Sequence, residues 1–437
     1  MTPTVVYVAQ VSMSKTSPLI NIFSADPKAS IVPVRVDGLS FPKLESAGLL
    51  ASADYSKVEG RGTYEELDNG SGRHRYVKGA GNLESLRSRG EDDPRSFPQF
   101  GHAHSRKFFF GSDSSTTGIG QTAPRVRGAL ALPYAVGEVI NAAVFLDLLM
   151  RKEGISTVQA AEAKGLTIPE GAIYSPGISA DICEGLARAR RESGRNEILE
   201  RIPHKYGLAS LRVPSCARLR TREDVTTSKG EFWTRVLRSP EKMEMVGRVL
   251  RHQLQCGFVS LSTHLQNVYD APNSLCPHAD SSDLVPISEV MNAGARAEVD
   301  KEVLLEALVM RQLQYMPLNL MRFSALPELR NDAKGAIHTI LSTIAPGEWT
   351  HQEREALAIS FPRKPYTVLS TIANRLIDMH LVDVSPQADW VKIQRQHSRF
   401  GYDLVADHLT RVALASACAL YTGVVEAEAK GGLSDLC

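Results

Sequence analysis

The chain has 437 residues, 43% of them hydrophobic, enough for one large two-lobed domain or for two to three ordinary domains with cores of their own. Fifty basic side chains against forty-nine acidic ones give a formal charge of +1, which excludes a global field that would draw nucleic acid or an anionic membrane and leaves any polyanion to a local cluster. Six cysteines, Cys183, Cys216, Cys256, Cys276, Cys418 and Cys437, follow no repeated spacing, so free thiols in a reducing compartment are expected rather than a disulfide framework. The opening residues lack the basic region and long apolar run of a secretory leader. The most apolar helical stretch, 128–150, carries Pro133, Glu138 and Asp147 and so does not read as a membrane span. Cytoplasm is the expected location, with no nucleic-acid or membrane partner.

In chain order, residues 1–56 mix β-branched runs, TVVYVAQV and SIVPVRV, with Pro and Ser, the pattern of an N-terminal extension with a few strands. From GRGTYEELDNGSGRHRYVKG the reading is strand, turn at Asp68 to Gly72, and second strand ending near Lys78, a hairpin. Residues 82–128 are rich in Gly, Ser, Pro and charge without periodicity and read as a long inserted loop. From Leu132 to Met150 the apolar residues recur at helical spacing, and STVQAAEAKGL is expected to continue that layer. AIYSPG and ASLRVPSCARLR read as strands. SPEKMEMVGRVLRHQLQCG has a serine to cap the start of a helix and a glycine to end it. FVSLSTHLQNVY, a turn at Ala271 to Asn273 and LCPHADSSDLV then form a hairpin at about 256–285, and helical periodicity fills 287–437. No internal repeat is visible.

The chemistry starts at Lys78. A lysine at a strand end, followed by a glutamate, Glu138, inside an apolar helix, suggests an ammonium held on phosphate oxygens and oriented by a carboxylate. Among Ala135, Val136, Val139 and Ile140 an unpaired charge would be costly, so Glu138 needs a cation. Arg212, Arg218 and Arg220 crowd LRVPSCARLR, and their planar forks suit phosphate oxygens. His264, Gln266 and Asn267 close one hairpin arm and Asp280 stands in the other, with Asp283 close behind. An amide oxygen and a carboxylate from facing arms are a natural clamp for magnesium on a triphosphate. Cys256, His264, Cys276 and His278 have a spacing that matches no common zinc pattern.

KGAG at 78–81, YAVGEV around Glu138, LRVPSCAR, GFVSLSTHLQN, HADSSD and PLNLMRF at 317–323, in this order, resemble the selenoprotein-O group, protein-kinase-like AMP transferases. The resemblance covers roughly 60–325. It implies an α+β, two-lobed, protein-kinase-like fold, with a mixed β/α N-terminal lobe at 57–215 and a largely helical C-terminal lobe at 216–437. It further implies that ATP, with magnesium or manganese, donates AMP, ahead of a phosphoryl group, to a hydroxyl on a protein or small molecule. Carried over, Lys78, Gly79, Gly81, Arg212 and Arg218 would bind nucleotide, Glu138 would pair with Lys78, and Asn267 and Asp280 would hold the metal.

Three departures stand out. Lys78 and Glu138 are sixty residues apart, so 82–128 is an insertion. The two arginines are one residue closer than in the group's pattern, which brings in Arg220 as a substitute for Arg218. The acid expected before the metal asparagine is Gln266, leaving His264 as the substitute base, since its ordinary pKa near 6.5 suits the task. Two other readings stand beside this one. STHLQN and SLRVPSCARLRT also resemble siderophore synthetases that adenylate a carboxylate, although the His-Pro-Trp-Gln motif of that family is missing. The absent acid also fits a nucleotide-binding pseudokinase without turnover.

Overall fold

A computed structural model describes residues 5–10, 31–35, 58–59, 62–66, 73–79, 130–174, 205–219, 235–262, 265–324, 329–361 and 363–429. The stretch 82–128, expected from sequence to be an inserted loop, lies outside them, as do Gly81, Arg220 and His264. The architecture is α+β, and the chain divides into two compact units. Unit 1 comprises Met1–Glu162, Thr167–Cys216 and Asp389–Val405; unit 2 comprises Ala163–Leu166, Ala217–Ala388 and Ala406–Cys437.

Unit 1 is built on an antiparallel sheet. Its strands are β1 (Val5–Gln10), β2 (Ile31–Arg35), β3 (Val58–Glu59), β4 (Gly62–Glu66), β5 (His74–Lys78), β6 (Leu130–Ala131), β7 (Ile168–Tyr174) and β8 (Tyr206–Val213). The order is β2-β1-β7-β8-β5-β4-β3, with β6 paired to β8. The two N-terminal strands are therefore part of this sheet, joined to it where Val8–Gln10 pairs with Gly171–Ile173. The hairpin read from the sequence is β4 and β5, in register from Gly62↔Lys78 to Glu66↔His74. Tyr64 and Tyr76 face each other across it with stacked rings 4.6 Å apart, a cross-strand pair that pins this register.

Helix α1 (Leu132–Lys152) packs on β7 and β8. Proline in its first turn needs no hydrogen-bond partner there, and Arg151 and Lys152 in its last turn complement the dipole. The helix is long and apolar enough to cross a membrane, yet 83% of its most apolar window is buried within the structure. Two aromatic residues from late in the chain, Trp390 and Tyr402, pack against it. The Asn141 Oδ1 accepts from Trp390 Nε1 at 3.2 Å and from Tyr402 Oη at 2.5 Å, all three side chains being buried. Burial pushes the Tyr402 phenol above its ordinary pKa, which keeps it the donor. Gly137, one turn earlier, lets this ring approach, because a Cβ there would stand 3.2 Å from a Tyr402 ring carbon. After a break at Gly154, α2 (Val158–Ala163) continues the helical part of unit 1 within the stretch expected to do so.

Unit 2 is mostly helical: α3 (Pro240–Gln255), α4 (Ile287–Arg296), α5 (Lys301–Ser324), α6 (Arg330–Ile344), α7 (His351–Ser360) and α8 (Pro365–Asp378). α9 (Ala388–Gln396) and α10 (Tyr402–Ala429) follow in the chain. Ser239 caps α3 by accepting from the Lys242 backbone N–H at 3.3 Å, and the helix ends before Gly257. α3 packs on α6, and α5 on both α6 and α8. Two short strands, β9 (Phe258–Ser260) and β10 (Leu284–Pro286), pair antiparallel. No disulfide joins Cys216, Cys256, Cys276 or Cys418.

Asn141 is the polar pin of the unit 1 core. Replacing it with alanine strands two buried donors, and Asn141→Ala is expected to lower unfolding free energy by about 2–4 kcal/mol, read as a shift in the denaturant midpoint.

Candidate functional site

In unit 1 the site is a charge pair. Strand alternation places His74, Tyr76 and Lys78 on one face of the sheet. The strand neighbours of Lys78 are Gly62 on one side and Ala209 on the other, so small residues flank it and leave room for a long side chain to lie over the sheet. Its ammonium reaches Glu138 Oε2 of α1 at 2.5 Å, with both side chains buried. The pairing expected from sequence is thus made across sixty residues. Immediately after Lys78 the chain turns at Gly79, whose φ of 98° is open to glycine and strained for other residues.

The opposite face of the same sheet holds Arg212, and there the neighbours are acidic. Its guanidinium donates to both carboxylate oxygens of Glu162 at 2.9 Å and lies 3.5 Å from Glu170. Arg75 also bonds Glu170, at 2.7 and 3.2 Å, Ser210 donates to it at 2.6 Å, and Arg73 adds to Glu162 at 3.5 Å. Arg212 is therefore a member of a carboxylate network, and gripping a nucleotide would require it to leave two partners.

Arg218 does not share that strand. β8 ends at Val213, and Pro214 follows, which cannot donate to a ladder. Arg218 lies in unit 2, where Ala217–Leu219 runs beside Val268–Asp270 through Leu219 N–H to Val268 O and Asp270 N–H to Ala217 O, both 2.9 Å. Its guanidinium sits 4.4 Å from the centroid of the Tyr269 ring, a cation–π contact. The expectation of two arginines on one strand is corrected: Arg212 and Arg218 fall on separate elements in separate units.

The remaining candidates lie in the unit 2 hairpin. β9 leads through Leu261 and Ser262 to a 3₁₀ turn, Leu265–Asn267. The other arm brings Asp280, a second 3₁₀ turn, Ser281–Asp283, and β10. The arms are tied by Ala279 N–H to Asn267 O at 2.9 Å, Tyr269 N–H to Pro277 O at 2.8 Å and Leu261 N–H to Asp283 O at 3.0 Å. Asn267 Nδ2 donates to Ser262 O at 2.6 Å, so the amide oxygen is the end of that side chain suited to a cation. Asp280 has φ 68° and ψ 66°, a left-handed conformation uncommon outside glycine and more accessible to Asp than to most side chains. Its Oδ1 accepts from Ser282 Oγ at 2.6 Å. An amide oxygen and a carboxylate are hard donors of the kind magnesium takes from protein when phosphates and water complete its shell. Among the described residues no group of three or more His, Cys, Asp and Glu side chains could hold a metal by itself.

A buried polar network that sequence reasoning misses braces this hairpin. Arg311 of α5 donates to Ser260 O at 2.9 Å and to Leu261 O at 3.3 Å. Gln312 accepts from Ser260 N–H at 2.8 Å and donates to Gln253 of α3. Gln253 in turn meets His278 Nδ1 at 3.1 Å. His278 is thereby engaged with an amide. Such contacts between residues far apart in the chain leave no local signature beyond polar residues on otherwise apolar helix faces.

No family model, no curated protein and no solved structure matches the chain.

The interior setting of the Lys78–Glu138 pair gives a stability test. Lys78→Met leaves a buried carboxylate without its cation and is expected to destabilise by about 3–5 kcal/mol, whereas Lys78→Met combined with Glu138→Gln regains most of that loss. Denaturant unfolding of the single and double variants reads both numbers.

Proposed function

We propose that this chain is a protein-kinase-like enzyme that binds ATP with magnesium and transfers AMP to a hydroxyl group. The buried Lys78–Glu138 pair carries the reading. In protein kinases a strand lysine paired with a helix glutamate orients the nucleotide phosphates, and a loop asparagine and a following aspartate hold the metal ions. Unit 1 has the corresponding order, with a strand hairpin ending in Lys78, a helix bearing Glu138, and two further strands of which the second pairs with the lysine strand. Unit 2 has a helix, a short strand, Asn267, Asp280 and a strand returning to pair with the first. The selenoprotein-O resemblance selects AMP over phosphoryl transfer.

The residues divide the work. Lys78 holds phosphate oxygens, Glu138 keeps the ammonium charged and aimed, and Gly79 lets the backbone turn close to the ligand. Asn267 and Asp280 supply oxygens to a magnesium ion, which when bound would neutralise phosphate charge. Arg218, stacked on Tyr269 beside the hairpin, is the better of the two described arginines for a phosphate contact.

A second reading, a nucleotide-binding protein without turnover, is favoured by one observation: neither position 266 nor position 262, five before Asn267 where kinases place their catalytic aspartate, carries an acid.

Incubation with ATP labelled at the α- or γ-phosphate separates these readings. α-label on a protein acceptor is expected; γ-label indicates phosphorylation, and retained ATP binding without label indicates the silent binder. Hydroxylamine-trappable pyrophosphate release that depends on an added carboxylic acid indicates the synthetase. Asp280→Ala should lower turnover by about a hundredfold or more, while Gln266→Asp should raise it; unchanged turnover in Asp280→Ala removes the assignment.

A further inference from the structure

The hairpin lacks an acid at positions 262 and 266, yet it has a carboxylate that reaches the loop from the opposite arm. Ser262 Oγ donates to Asp283 Oδ2 at 2.5 Å. Ser262 is also the residue whose carbonyl accepts the Asn267 amide, so its backbone is tied directly to one member of the proposed metal clamp.

We propose that Ser262 and Asp283 form the proton-accepting pair of the transfer, with Ser262 touching the acceptor and Asp283 behind it as the base. This rests on the Mg-ATP reading above. Asp283 is buried while Ser262 is part-exposed, so of the two residues Ser262 is the one nearer to solvent and to an acceptor arriving from it. A serine oxygen that donates its own hydrogen keeps lone pairs with which to receive another. The pair is rigidly placed: Leu261 N–H bonds Asp283 O at 3.0 Å, Leu284 pairs with Ser260, and Ser262 N–H donates to Ser260 Oγ at 3.2 Å. Arg311 fixes the carbonyls of Ser260 and Leu261 from α5.

In the step itself the acceptor oxygen bonds the α-phosphorus of ATP. The bond from that phosphorus to the bridging oxygen breaks, and pyrophosphate leaves with the electron pair. The acceptor's proton passes to Ser262 Oγ as the proton already on Ser262 passes to Asp283 Oδ2. Asp283 ends protonated and returns its proton to water.

Pyrophosphate release from Mg-ATP, with water as acceptor, tests this on the full chain without knowledge of the natural acceptor. Asp283→Asn keeps the volume and an oxygen for the Ser262 hydrogen bond but cannot take a proton. It is expected to lower kcat by about a hundredfold or more, in the range of general-base contributions, with KM for ATP within about twofold of wild type. Ser262→Ala should fall to a similar level, Ser262→Thr should recover to within about tenfold of wild type, and the Ser262→Ala/Asp283→Asn double variant should fall no further than either single one, as for groups that act as a unit. Ser262→Ala also serves if Asp283→Asn does not fold. Near-wild-type kcat in Asp283→Asn or Ser262→Ala overturns the pair and leaves the transferase reading intact. No pyrophosphate release by the wild-type chain at any Mg-ATP concentration overturns both.

Discussion

A charge pair in an apolar interior is the constraint on which unit 1 depends. Lys78 and Glu138 are each taken out of water, a penalty of several kcal/mol per ion that their mutual attraction offsets only when the geometry is good. The 2.5 Å contact therefore requires that β5 end at one place on the sheet and that α1 lie across it at one height. Both requirements are met by packing. Gly62 and Ala209 clear the sheet surface around the lysine. On the helix, Gly137 and Asn141 seat it against Tyr402 and Trp390. A hydrophobic pair of the same volume would satisfy the core with less demand on position.

Unit 2 solves a different problem. Its candidate ligands sit on turns, which are weakly determined by their own backbone bonds, and rigidity has to come from outside. Arg311 and Gln312 are adjacent on α5 and both reach Ser260, one at its carbonyl and one at its N–H. Gln253 extends the same network from α3 to His278 on the other arm. The hairpin is thus held at both arms by helices, at Ser260 and Leu261 on one and at His278 on the other.

How much of this is legible in the sequence follows from the range of each interaction. The β4–β5 hairpin, α1 and α3 are visible because periodicity, a turn cluster and a capping serine are local signals. Glu138 is visible because a carboxylate among Ala135, Val136, Val139 and Ile140 demands a cation. The arginines mislead for the same reason in reverse: LRVPSCAR looks like one strand, but Pro214 ends β8 and the chain passes from one unit to the other within a few residues. Glu162 on α2 and Glu170 on β7, which engage Arg212, do not stand out, since nothing local marks either residue as lying beside Arg212 of β8. The return of Asp389–Val405 to unit 1 is also invisible, because Trp390 and Tyr402 read as ordinary core residues until Asn141 supplies their partner.

The sixty-residue separation of Lys78 and Glu138 weighs little energetically. By loop-closure statistics each doubling of the length of a connection adds only about 0.6 kcal/mol. Lengthening a link from about ten residues to about fifty therefore adds about 1.4 kcal/mol, less than the roughly 3–5 kcal/mol at stake when a buried pair loses one partner. The contact fixes where β5 and α1 must meet and is nearly indifferent to how much chain lies between them. A long connection at this point is tolerable as long as it leaves its two ends in place, at Gly79 and at Leu130, whose pairing with Gly207 of β8 anchors the chain to the sheet immediately before α1 begins.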